Sequence, residues 1–267
     1  MAYETLDVKH EGQIVWLTLN RPHVLNAINS TMIEELRDFF SGLPADTGTR
    51  VVIMRGAGRA FCAGLDLREQ GESGPAGFFN TTTGVRAQRH VSEIPIMMRR
   101  APQPIIAAIH GVACGGGFSM TLAADVRLAG ESMRMNAAFI RIGLTGTDMG
   151  TSYFLPRLVG MSVASELLLT GRFIDAKRAL ATGLVSEVTP DSELENAARR
   201  LADDMLYTSP LGLRLTKDGL AVNIDAGSLE AAMAVEDRNQ LLCTSSPFFK
   251  EGIRAFQEKR RPRYDNL

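Results

Sequence analysis

Three cysteines in 267 residues, Cys62, Cys114 and Cys243, are too few and too scattered for a disulfide framework. None has the CxxC or His-partnered spacing of a zinc site. No charge of one sign dominates: 29 Lys plus Arg stand against 30 Asp plus Glu, a net charge of −1. A chain that coats nucleic acid or an anionic membrane carries a clear positive excess. No apolar run approaches the ~18 residues that span a bilayer. The opening Met1-Ala2-Tyr3-Glu4-Thr5-Leu6-Asp7 is acidic where a signal peptide is basic and then apolar. There is no internal repeat and no low-complexity tract. These absences predict a thiol-reduced, cytoplasmic protein with neither nucleic acid nor membrane as partner. At 45% hydrophobic and 22% charged, the chain has the composition of a globular domain with a sizeable core.

Apolar, β-branched runs at residues 14–19, 51–54 and 105–109 read as strands. After Asn29-Ser30, Met32, Ile33, Leu36, Phe39 and Phe40 recur at helical spacing. Residues 70–77 hold three glycines and a proline and read as a loop. Residues 83–100 read as a helix with Val85, Val91, Ile94 and Met98 inward, and with Arg86, Arg89 and His90 on other faces. A helix follows Gly115-Gly116-Gly117, then a short strand at 126–129. From about Thr151 helical patterns take over, at 162–169, 175–182, 191–207, 209–222, 228–243 and 247–259. The predicted class is α/β, with a core over residues 1–190 and a helical region over 191–267.

Two glycine-containing segments carry chemistry. In Arg59-Ala60-Phe61-Cys62-Ala63-Gly64-Leu65-Asp66-Leu67, Gly64 lets the backbone turn so that the next N–H faces a cavity. In His110-Gly111-Val112-Ala113-Cys114-Gly115-Gly116-Gly117, a strand runs into a helix whose first N–H groups sit at the positive end of its dipole. Two inward N–H groups form an oxyanion hole, which stabilises charge developing on a carbonyl oxygen. Each segment alone also suits a plain tight turn. Neither dinucleotide nor P-loop fingerprints fit.

Together, in this order and ~50 residues apart, the segments resemble the crotonase family, the enoyl-CoA hydratases and isomerases. The likeness begins at Leu19-Asn20-Arg21-Pro22 and Leu25-Asn26-Ala27. It continues through Ala123-Ala124-Asp125, Leu155-Pro156-Arg157-Leu158-Val159-Gly160, Leu169-Thr170-Gly171-Arg172 and Ala181-Thr182-Gly183-Leu184-Val185, and ends with Glu251-Gly252-Ile253-Arg254-Ala255-Phe256-Gln257-Glu258-Lys259-Arg260. The resemblance implies a spiral of ββα repeats with a C-terminal trimerisation region, assembled as a trimer or a dimer of trimers. It implies an acyl-CoA thioester as ligand, with oxyanion donors at Leu65 and Gly116. Coenzyme A arrives as part of the substrate, so no metal or redox cofactor is expected. The CoA portion is expected near Ala27, Ala63 and Asp66, with carbonyls near Ala63 and Leu65 taking the adenine amino group. Arg21, Lys259 and Arg260 are expected at its phosphates; solvated surface charges would read the same way.

A hydratase of this family uses two glutamates that hold one water. Here Ser119 and Phe139 stand in their places. Phe139 neither moves a proton nor holds a water, and serine is a poor base without a partner. Asp148, in Thr147-Asp148-Met149-Gly150-Thr151, resembles the aspartate of dienoyl-CoA isomerases. Desolvation there raises its pKa and makes it a better base; equally, Asp148 suits the cap of a helix starting near Thr151. His90 has counterparts among pocket-lining helix histidines, and also fits an exposed helix residue. Phe78, Phe79, Met97 and Met98 suggest an apolar acyl pocket, or ordinary core. Three functions stand open: double-bond migration with Asp148 as base, an atypical hydratase using Ser119, and a non-catalytic acyl-CoA binder.

Overall fold

The computed structural model describes residues 3–69 and 81–264. The glycine-rich stretch 70–77 and Phe78 and Phe79 lie outside the described residues. In chain order the first elements are β1 (Leu6–Glu11), β2 (Ile14–Leu19), α1 (Ser30–Gly42), β3 (Val51–Gly56), α2 (Thr81–Arg100), β4 (Ile105–Ile109), β5 (Val112–Cys114), α3 (Gly116–Ala123), β6 (Val126–Gly130) and β7 (Arg134–Asn136). There follow α4 (Thr151–Val159), α5 (Met161–Thr170), β8 (Ile174–Asp175), α6 (Ala176–Ala181), β9 (Glu187–Thr189), α7 (Leu194–Leu206), α8 (Pro210–Asn223), α9 (Leu229–Thr244) and α10 (Pro247–Gln257). The main sheet has the order β1-β2-β3-β4-β6-β9, and β5, β7 and β8 form a second, small one. Among the described residues β1 alone runs against its neighbour in the main sheet; β2, β3, β4, β6 and β9 are parallel.

The central strands are predominantly apolar, with Thr18 in β2 and Arg55 in β3 as the exceptions, because both of their faces are covered. Val15, Leu17 and Leu19 of β2, Val52 and Met54 of β3, and Ile105, Ala107 and Ile109 of β4 face α1, α2 and α3. The alternate residues Ile14, Trp16, Val51, Ile53, Ile106 and Ala108 face Leu194, Ala197, Ala198 and Ala202 of α7. Helix α7, assigned from sequence to the C-terminal part, therefore closes the second face of the core. Helix α1 buries Met32, Leu36, Phe39 and Phe40, each worth about 1.5–3 kcal/mol of burial. Its Asn29 cap accepts from Met32 N–H at 3.0 Å.

Val85, expected inward, is 50% exposed. It lies six residues before Val91, which rotates it well away from the stripe of Val91, Ile94 and Met98. Met98, expected at the acyl pocket, is a core residue with no exposed surface, and its carbonyl accepts from Lys217 at 3.1 Å. Lys217 docks α8 on the core: its buried ammonium also meets Gln103 O at 2.8 Å and Asp125 Oδ2 at 2.9 Å. Asp125 in turn accepts from Arg99 at 2.7 Å and from Ile105 N–H at 2.8 Å. Among the described residues no helix is long and apolar enough to cross a membrane.

Candidate active site

The two glycine-containing segments lie side by side. Cys62 and Ala113 pair as a parallel bridge, with Cys62 N–H on Val112 O at 3.0 Å and Cys114 N–H on Cys62 O at 2.9 Å. Three residues further along each segment come Leu65 and Gly116. There the backbones touch: a Cβ on Gly64 would stand 2.9 Å from Cys114 O, and one on Gly115 would stand 3.8 Å from Gly64 Cα.

Leu65 bridges Ile28 in parallel. Gly64 O accepts from Ile28 N–H, and Asp66 N–H donates to Ile28 O, both at 2.8 Å. In a parallel bridge the flanking peptides make the bonds, so the N–H of Leu65 points the other way. Gly116 is the first residue of α3, where N–H groups have no partner within the helix. Among the described residues neither Leu65 N–H nor Gly116 N–H has an acceptor. A carbonyl oxygen seated between them would receive two fixed donors and the positive end of α3.

The surroundings of this pair are apolar. A Cβ on Gly116 would lie 3.0 Å from Ile28 Cδ1 and 3.3 Å from Met149 Sδ, and one on Gly115 would lie 3.3 Å from Phe139 Cε1. Phe139 itself is buried. Ser119 is fully buried, and its hydroxyl donates to Gly115 O at 3.2 Å, with Asp148 O at 3.4 Å. Among the described residues no carboxylate or imidazole reaches it to make it a base.

Asp148 is half-buried, beside the Met149 that packs on Gly116. It does not cap α4. The capping residue is Gly150, and Thr151 Oγ1 instead accepts from Asp148 N–H at 3.1 Å. The carboxylate oxygen Oδ1 accepts from Met149 N–H at 2.7 Å and from the Gln88 amide at 2.5 Å. Burial pushes the Asp148 pKa above the ordinary carboxylate range, against the opposing pull of those two donors. By contrast, Cys62 and Cys114 are pushed up to about 12 and about 11, both chiefly by burial, so neither thiol is a nucleophile at neutral pH.

Arg21, Ala27 and Asp66 come together as one cluster. The Arg21 guanidinium bonds Ala27 O at 2.5 Å and Asp66 Oδ2 at 2.9 Å. Ala63 adjoins them through its N–H on Leu25 O at 2.9 Å. Lys259 is exposed after α10 with a left-handed φ of 51°, and its ammonium has no partner among the described residues. Arg260 is committed to Glu251, at 2.6 and 3.1 Å, and to Glu258 at 2.5 Å. That pairing holds the Glu251 pKa down to about 2. His90 faces α1, paired with Glu34, while its carbonyl accepts from Arg37 at 2.9 Å. Among the described residues it makes no bond to Asp148; the α2 side chain that reaches that carboxylate is Gln88.

Two residues escaped the reading of the sequence. Gln88 is an exposed residue three positions before Val91 on α2, and an exposed glutamine on a helix gives no signal along the chain. Asn26 was quoted only as part of a motif. It is fully buried with a left-handed φ of 55°. Its amide donates to Ala57 O, Ala60 O and Phe61 O at 2.9, 2.8 and 3.2 Å, and its oxygen accepts from Arg21 N–H at 2.9 Å. It braces the loop leading to Leu65. A surface groove of about 820 Å³ between Arg55, Arg59, His110 and Glu195 shares no residue with this constellation.

Solved structures share this fold. The family model described as enoyl-CoA hydratase/isomerase matches residues 9–266. A probable enoyl-CoA hydratase of Mycobacterium tuberculosis is 39% identical over 254 residues, covering 94% of this chain and 88% of that protein. The 1,2-epoxyphenylacetyl-CoA isomerase of Escherichia coli is 32% identical over 256 residues, 95% of each chain. The crystal structure of an enoyl-CoA hydratase from Bacillus anthracis matches with a TM-score of 0.92 at 33% identity, covering 99% of this chain and 100% of that one. With near-complete coverage in each comparison, the chain belongs to the enoyl-CoA hydratase/isomerase, or crotonase, family.

Proposed function

We propose that this chain moves a double bond along an unsaturated acyl-CoA, with the N–H groups of Leu65 and Gly116 as an oxyanion hole and Asp148 as the base. The thioester oxygen sits between the two N–H groups. Asp148 removes a proton from the acyl chain, the resulting enolate charge rests on that oxygen, and the proton returns to a carbon further along. One base suffices, and no water is consumed. Support comes above all from Asp148: a desolvated carboxylate one residue from the side chain that packs on Gly116.

Hydration is the second reading, because the Mycobacterium tuberculosis relative carries that name. Phe139 and the spent hydroxyl of Ser119 weigh against it, since neither can activate water. For the CoA portion, Ala27, Ala63 and Asp66 line one end. Arg21 is held by Asp66 and Arg260 by two glutamates, so of these three cations Lys259 is the one without an ion pair among the described residues, available to a phosphate. Self-association as a trimer or dimer of trimers belongs to the same proposal. Leu220, Leu229, Leu241 and Phe256 of the C-terminal helices, between 68% and 85% exposed, offer it an apolar surface.

The test incubates the purified protein in D2O with saturated, 2-enoyl, 3-enoyl and dienoyl-CoA thioesters, and mass spectrometry follows deuterium uptake and gain of water. Uptake without water gain, lost by about 10²–10⁴-fold in Asp148→Asn, is the expected result. Water addition that survives Asp148→Asn would establish the hydratase instead. Binding without exchange on any thioester would establish a non-catalytic acyl-CoA binder.

A further inference from the structure

We infer that Gln88 is a positioning residue for Asp148, holding its carboxylate in one orientation beside the Leu65 and Gly116 donor pair; this rests on the proton-transfer reading above. The amide of Gln88 and the N–H of Met149 both donate to Oδ1. Among the described residues Oδ2 has no partner, so Oδ2 is the oxygen left to take a proton. The Met149 bond is local, between adjacent residues, and by itself fixes the carboxylate only relative to its own backbone. The Gln88 bond comes from α2, 60 residues away in sequence, and fixes it relative to the rest of the fold.

The backbone under the carboxylate is held independently. Thr151 Oγ1 takes the Asp148 N–H, Ser119 Oγ reaches its carbonyl at 3.4 Å, and Met149, in a left-handed conformation with φ 47°, lays its sulfur against Gly116. Elements α3 and α4 thus hold the main chain of Asp148 while α2 holds its side chain. The sequence of α2 agrees. Val91, Ile94 and Met98 are buried along one stripe that anchors α2, and the exposed Gln88, one turn before Val91, extends its amide to the carboxylate. A base whose reactive oxygen is preset loses less of its reactivity to rotation, and small misplacements of such a group are costly.

Four proteins test this: the wild type, Gln88→Leu, Asp148→Asn and the double variant, all assayed by deuterium exchange on the best thioester of the panel. Gln88 is exposed, so leucine there is expected to leave thermal unfolding unchanged. Gln88→Leu is expected to lower kcat on the order of tenfold, with KM and the affinity for a saturated acyl-CoA unchanged. In the Asp148→Asn background the same substitution is expected to do nothing further, because its partner is already gone. A Gln88→Leu enzyme with wild-type kcat overturns the inference, as does an equal loss in both backgrounds. Should Asp148→Asn leave no measurable exchange, the split between kcat and KM in Gln88→Leu alone decides. If Asp148→Asn exchanges as fast as the wild type, the base assignment itself fails and the role of Gln88 falls with it. That outcome is distinct from an active Gln88→Leu paired with a dead Asp148→Asn.

Discussion

Alanine substitutions across Gly115-Gly116-Gly117 separate three physical roles within one run of identical residues. At Gly117 an added Cβ would stand 2.6 Å from Cys62 O, 2.7 Å from its Cβ and 2.9 Å from its Sγ. Nothing there can yield without moving the backbone of the Cys62 strand away from α3. Overpacking of this kind costs about 3 kcal/mol. The gain in helix propensity returns about 1 kcal/mol, so Gly117→Ala loses about 2 kcal/mol, or about 4–8 °C in Tm for a chain of this size. At Gly115 the obstacle is the backbone itself. With φ 50° and ψ −118° the residue occupies a region that costs an L-amino acid about 1–3 kcal/mol, and Phe139 lies 3.3 Å from the new carbon.

Gly116 is the control. Its φ is not positive, and the contacts at 3.0 and 3.3 Å are the mobile ends of Ile28 and Met149, so Gly116→Ala is expected within about 1 kcal/mol of the wild type. Thermal unfolding of the three variants at one protein concentration gives the order, Gly116→Ala highest and the other two lower. Gly117→Ala unfolding at the wild-type temperature would refute the close approach of α3 to the Cys62 strand. With that approach would go the juxtaposition of the Leu65 and Gly116 N–H groups on which the site depends.

Asp148→Asn is expected to stabilise the fold while abolishing exchange. Burial raises the folded pKa above the ordinary value of 3.8, so the folded state binds more protons than the unfolded chain between the two values, and stability falls as pH climbs through that interval. The variant should match the wild type below the interval and exceed it above, by about 1.4 kcal/mol per unit of separation; urea unfolding against pH checks this, and a less stable variant at neutral pH counts against it. Asn26→Ala strands three carbonyls of the loop at 57–61 and is expected to cost about 3 kcal/mol by the same assay. Asn26→Asp should cost no less, since it sets a carboxylate against those carbonyls; a variant as stable as the wild type would show that the brace carries no weight.

The strands that were legible in the sequence are those covered on both faces. β2, β3 and β4 read as mainly apolar runs because α1, α2 and α3 lie on one side and α7 on the other. β1 was missed: it is an edge strand, bonded on one side only, and Lys9, His10 and Glu11 interrupt its pattern. β5, β7, β8 and β9 have two or three residues each, too short for any period to show, and they exist only because tertiary pairing completes them. The helices from α5 onward were legible from caps and stripes; Ser209 and Ser228 cap α8 and α9 through Gly212 N–H and Ala231 N–H. In the site, the two glycine segments could be found by residue type. The direction of the Leu65 N–H could not, since it follows from a bridge to Ile28, 37 residues earlier in the chain. That Asp148 does not cap α4 depended on a left-handed Met149 and on Gly150 at the cap, and its bond to an amide from α2 is likewise invisible along the chain.

On the proposed reading, Phe139 and Asp148 are two halves of one change in chemistry. Hydration needs a water held between two acids, so a site for it must stay polar. An aromatic ring laid over Gly115 removes that water and lowers the local dielectric. In such surroundings the fixed dipoles of Leu65 and Gly116 act more strongly on a charge developing on the thioester oxygen. Burial of Asp148 raises the pKa of its carboxylate, which brings it closer to what a proton abstraction requires. Gln88 and Met149 work in the opposite sense, because each bond to Oδ1 favours the ionised form. Burial outweighs them in the direction of the shift, so the carboxylate is both oriented and more basic than a solvated one. A carboxylate made basic by solvent exclusion alone would be free to turn, and one fixed by several donors in water would be too weak a base. The combination of a dry wall and one cross-element donor gives Asp148 both properties.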